Sequence, residues 1–144
     1  MAAVLRLYGG TAATLAALLL CPGCGGGAPP PEGQLAIESV AKWYMYYRAD
    51  NRGRPPESEE EFMAFVVKKL QERGREVDTS ELLISPRDGK KYVVQYGEPN
   101  SRIPDQNVAV CESEGYEGMK LVGFEGGGSK EVNESELQSL LAGD

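Results

Sequence analysis

The sequence predicts an α+β domain in which an N-terminal helix and a second, shorter helix pack on a small antiparallel sheet. Three observations predict it. Residues 34–50 carry apolar side chains at helical spacing. Residues 58–73 repeat that spacing behind a capping signal. From residue 82 onward, short apolar runs alternate with turn sequences, the pattern of a strand meander with helices over one face.

The first helix reads QLAIESVAKWYMYYRAD. Ile37, Val40, Ala41, Tyr44 and Tyr47 form its apolar face, widened by Trp43 and Tyr46. The quartet Trp43, Tyr44, Tyr46 and Tyr47 has two readings: a partner-binding surface, or core with hydroxyls at the rim. NRGRPP at 51–56 ends the helix, because Gly53 permits a left-handed backbone and two prolines cannot continue it. Ser58 caps the next helix, and Glu61 is placed to complete a capping box. Glu59, Glu60 and Glu61 sit at the positive end of its dipole, and Lys68, Lys69 and Arg73 near the negative end. Phe62, Phe65, Val66 and Leu70 make its buried stripe, and Gly74 supplies a C-cap.

A short apolar run at 82–84 leads to the tight-turn signal Asp88-Gly89. Strands are expected at 92–96, from 108 to 111, at 119–124 and at 130–132. Asn133 with Glu136 repeats the capping pattern before a short helix through Leu137, Leu140 and Leu141.

Composition narrows the function. The chain of 144 residues has a formal net charge of −7 and no histidine. That excludes Ser-His and Cys-His catalytic pairs and His-ligated zinc. The acidic balance argues against nucleic acid as a partner, since phosphate neutralisation needs a basic face. No phosphate-loop or dinucleotide-binding spacing is present, and no cofactor is expected. With no constellation for catalysis, a non-enzymatic role is expected; a small hydrolase working through paired carboxylates is the enzymatic alternative. Calcium is the one ion the acidic loops suggest, through Asp105, Asn107, Glu112, Glu114 and Glu117, although no EF-hand spacing is present. Cys111, in the apolar run from 108 to 111, reads as a small buried hydrophobe.

The N-terminus reads as an address. Arg6 precedes the apolar run TAATLAALLL, which is short for a bilayer span and fits a signal peptide over residues 1–23. CPGCGGG follows, and a cysteine after a small residue resembles the processing site of bacterial lipoproteins. That resemblance implies lipidation at Cys24, which follows Gly23; Cys21, which follows the bulkier Leu20, is the alternative. Residues 24–33 then form a flexible, lipid-anchored tether to a single domain over 34–144. The implied location is the bacterial cell envelope, facing the periplasm, with Gly25 after the cysteine favouring the outer membrane. Were Cys24 not lipidated, a disulfide with Cys111 would be open to it.

The stretch YRADNRGRPPESEEEFMAF at 47–65 is similar to the end of the N-terminal helix and the following acidic helix of type II secretion pseudopilins. SPRDGKKYVVQYGEP at 85–99 resembles that family's next turn and strand. The family resemblance implies a pseudopilin-like head and a protein partner in a secretion or pilus-like assembly. Its apolar start differs from the cysteine and glycine-proline tether here, and its calcium loop is unmatched by GYEGMKLVGFEGGG. The implied picture is a pseudopilin-like head on a lipid anchor; a minor pseudopilin that retains its apolar start is the alternative.

Overall fold

A computed structural model describes residues 31–75, 78–98 and 107–143. The expectations for the signal peptide, for Cys21 and Cys24, for Asp105 and for the tether up to residue 30 lie outside them. Three helices, α1 (Gln34–Asp50), α2 (Glu59–Glu72) and α3 (Glu134–Ala142), accompany four strands, β1 (Val93–Val94), β2 (Val108–Cys111), β3 (Met119–Phe124) and β4 (Ser129–Asn133). The strands form one antiparallel sheet in the order β1-β2-β3-β4. The α+β class is therefore as the sequence predicts.

The chain enters α1 through a turn in which Pro31 accepts from the Gln34 amide. Ile37, Val40, Ala41, Tyr44 and Tyr47 are buried along one side of α1. They join Phe62, Val66 and Leu70 of α2 and Val94, Ala109, Val110 and Leu121 of the sheet in one core. Close approach of α1 to the sheet depends on Gly123. A methyl group there would lie 2.7 Å from Val110 Cγ1 and 3.0 Å from Ala41 Cβ.

Each helix end has a local cause. At the end of α1, Arg52 (φ 59°) and Gly53 turn left-handed and the Gly53 amide returns to Arg48 O. At the start of α2, Ser58 accepts from the Glu61 amide, but the Glu61 carboxylate takes the Glu57 amide rather than closing the capping box on Ser58. It is drawn outward by the Tyr47 hydroxyl, which donates to its other oxygen. At the end of α2 the Gly74 and Arg75 amides bond back to Gln71 and Leu70, a Schellman closure. In α3 the Asn133–Glu136 box is complete.

Two further sequence expectations change. The strand expected at 92–96 shortens to two residues, because the Tyr92 amide pairs with Leu83 in the hairpin around Asp88-Gly89 and the Gly97 amide turns to Pro56. The helices also do not share one face. Leu121 and Gly123 face α1, while Val122, with Val108, Cys111 and Val132, faces Leu137 of α3 in a second cluster. The period-two alternation of β3 gives both sides apolar residues, so both sides need a cover.

Candidate functional site

The four helix aromatics do not form one surface. Tyr44 is buried and donates to Gln95 O at 2.9 Å. Tyr47 is buried against Phe62 and Phe65 and donates to Glu61. Burial raises both phenols to about 12. These two belong to the core, which corrects the reading of the quartet as a partner surface. Tyr46 remains outward, 41% exposed, and packs edge-on at 5.8 Å against Trp43, which is half-buried at the edge of the core. The Arg73 guanidinium, at the end of α2, lies over both rings, 5.6 Å from Trp43 and 5.8 Å from Tyr46.

The calcium candidates are not brought together. Glu112 is fully buried, with its Oε1 accepting from Ser85 Oγ at 2.8 Å and its Oε2 from the Leu121 amide at 2.8 Å. The Arg87 Nε stands 3.6 Å away. Asn107 is buried elsewhere, donating to Glu125, which is ion-paired with Arg48. Glu114 is exposed near Lys90, and Glu117 takes a left-handed backbone (φ 51°) in the tight turn between Tyr116 and Met119. Among the described residues, no group of three or more Cys, Asp or Glu side chains is placed to hold a metal ion. Cys111 is buried, and burial pushes its thiol pKa up.

The sequence reasoning passed over Arg87, Tyr116 and Glu131. Arg87 follows the Ser85-Pro86 corner, and its guanidinium is held on every side. Nη1 donates to Glu131 at 2.8 Å, Nη2 to Met119 O at 3.3 Å, and Nε faces Glu112. Asp88, three residues from Ser85, accepts from the Lys90 and Gly115 amides and ties this corner to the β2–β3 loop. Burial pushes the Asp88 carboxyl up, but these amides outweigh it and hold the group below its usual range. Over the fixed Arg87 lies Tyr116, 6.0 Å away and 58% exposed. Pro31, Glu32, Arg87, Tyr116 and Glu131 line a groove of about 320 Å³. A paired Arg beside a Pro-Gly turn was the only signal available, and nothing in the sequence joins residue 87 to residues 112, 116 and 131.

The groove can hold one or two side chains of another molecule against an aromatic face. Its Arg floor is preorganised, since its hydrogen bonds are made before anything binds. No protein family, no curated protein and no solved structure matches this chain. Among the described residues, no helix is long and apolar enough to cross a membrane.

Proposed function

We propose that the chain is a non-enzymatic lipoprotein of the bacterial cell envelope whose head binds another envelope protein, in a secretion or pilus-like assembly. The observation that carries the binding role is the groove at Tyr116. It combines an exposed ring with an Arg locked by Glu112, Glu131 and Met119, and Tyr and Arg are the residue types that dominate protein hot spots. The lipid-anchored location is supported by the sequence pattern from Arg6 through Cys24.

The buried carboxylates support a structural assignment rather than acid–base work. Glu112 and Glu125 are each matched to an arginine and to a neutral donor. The two carboxylates stand in separate networks, so the facing pair that carboxylate hydrolysis needs is not assembled from them.

Placing a photo-crosslinking amino acid at Tyr116 in the native host tests the binding role. A discrete covalent adduct with one envelope protein, absent when the crosslinker stands at the exposed Lys130, is the expected result. Identical adduct patterns at both positions would remove the interaction reading.

A further inference from the structure

We propose that the outward face of α1, joined to the C-terminal end of α2, docks on an anionic lipid surface; this rests on the lipid-anchor reading above. At 100° per residue, Leu35, Ser39, Lys42 and Tyr46 fall within about 60° of one another, opposite the core stripe. The outer face of a helix on a soluble domain ordinarily mixes both charges. Here it holds Leu35 (73% exposed), Lys42 and Tyr46, with Trp43 at its flank and its first acid, Asp50, at the far end. Glu38 stands to one side, accepting from Ser129 and Gln34.

The end of α2 meets this surface at Arg73, which lies over Trp43 and Tyr46. Lys68, Arg73 and Arg75 are exposed, and among the described residues none of the three stands within ion-pair distance of a carboxylate. The neighbouring Lys69, in contrast, is committed to Asp50 and Glu72. Arg73 joins the two helices into one patch through its place over Trp43 and Tyr46. In a chain with 22 acids against 15 basic residues, Lys42, Lys68, Arg73 and Arg75 stand beside two rings, with Glu38 facing Lys42 and with Asp50 and Glu72 drawn to Lys69.

Trp and Tyr rings seat at the headgroup level of a bilayer, and Lys and Arg are drawn to anionic headgroups. Chain length points the same way. Cys24 lies ten residues before α1 begins at Gln34, and ten residues extend at most roughly 36 Å. An anchor at Cys24 thus keeps Leu35, the second residue of α1, close to the bilayer, where a protein partner would have to compete for the same face.

Trp43 is the chain's single tryptophan, so its emission reports this site alone. The test uses the full chain, matured in a lipoprotein-processing host and reconstituted in phosphatidylcholine vesicles with and without phosphatidylglycerol, some carrying brominated acyl chains. The expected result is flotation with both vesicles, and a blue shift with strong bromine quenching only where phosphatidylglycerol is present. Lys68→Glu together with Arg73→Glu should float equally and lose most of the quenching. Lys68→Glu alone, at an exposed position, should lose part of it and keeps the test decisive if the double variant misfolds. Flotation with Trp43 unquenched would overturn the docking and leave the anchor standing. Failure to float would overturn both. Equal quenching in phosphatidylcholine alone, or a shift that appears only when envelope proteins are added, would also overturn it.

Discussion

Gly123→Ala should destabilise the head although alanine suits a strand better than glycine. In β3 the new methyl would stand 2.7 Å from Val110 Cγ1 and 3.0 Å from Ala41 Cβ, and 3.4 Å from Ile37 O. Val110 and Ala41 are both fully buried, one in the neighbouring strand and one in α1, so neither is the loose end of a flexible side chain. Relief requires α1 to lift from the sheet or Val110 to leave its rotamer. Overpacking of this kind costs about 1–3 kcal/mol. The lost flexibility of glycine in the unfolded chain returns about 0.4–1 kcal/mol. The expected net loss is about 1–2 kcal/mol, seen in urea unfolding as a lower midpoint with an unchanged slope. A double-mutant cycle locates the cause. Val110→Ala alone leaves a cavity and is destabilising, but in the Gly123→Ala background it also makes room for the new methyl. The two losses should therefore sum to more than the double variant shows, by about 1 kcal/mol. A Gly123→Ala protein as stable as the parent, or strict additivity with Val110→Ala, would refute the close packing of α1 on β3.

Three further outcomes follow from the polar interior. Glu112→Gln should cost about 2–3 kcal/mol in thermal or chemical unfolding, below the 3–5 kcal/mol of a fully broken buried pair because Arg87 keeps Glu131 and Met119 O; exposed Glu114→Gln should change stability by less than about 0.5 kcal/mol. The Tyr47 hydroxyl holds the Glu61 carboxyl below its usual range. With a folded value below the unfolded one, this bond stabilises the head above the ordinary carboxylate pKa and is lost as pH falls through the folded value. Tyr47→Phe should therefore move the Glu61 titration upward, read by carboxyl carbon NMR, and flatten the acid limb of the stability curve. Cys111 should resist a thiol reagent in the native head and react fully in denaturant, read by peptide mass, since burial raises its pKa and covers its sulfur; rapid native labelling would contradict its packing against α3.

Much of the molecule was legible in local pattern. The boundaries of α1 follow from apolar spacing and the NRGRPP stop, α2 from Ser58 and its acid-to-base gradient, and α3 from the Asn133–Glu136 box. The turn at Asp88-Gly89 rests on a glycine that takes a left-handed backbone. These features depend on neighbours within a few residues, so the sequence by itself determined them. Cys111 as a small buried hydrophobe belongs to the same group.

Only the tertiary structure decided what long-range contacts control. Tyr44 and Tyr47 separate from Trp43 and Tyr46 because α2 and the sheet cover one side of α1 and not the other. Glu112 and Asn107, near in the chain, part into two buried networks, because Glu112 meets Arg87 while Asn107 donates to Glu125, which pairs with Arg48. Glu61 leaves its capping box for the Tyr47 hydroxyl fourteen residues away. α3 crosses to the second face because β3 alternates apolar side chains to both sides. A carboxylate beside glycine and tyrosine in sequence looks the same whether it will coordinate an ion or pair with an arginine. Which of the two occurs is set by the charge that folding carries to it, and that charge comes from distant parts of the chain.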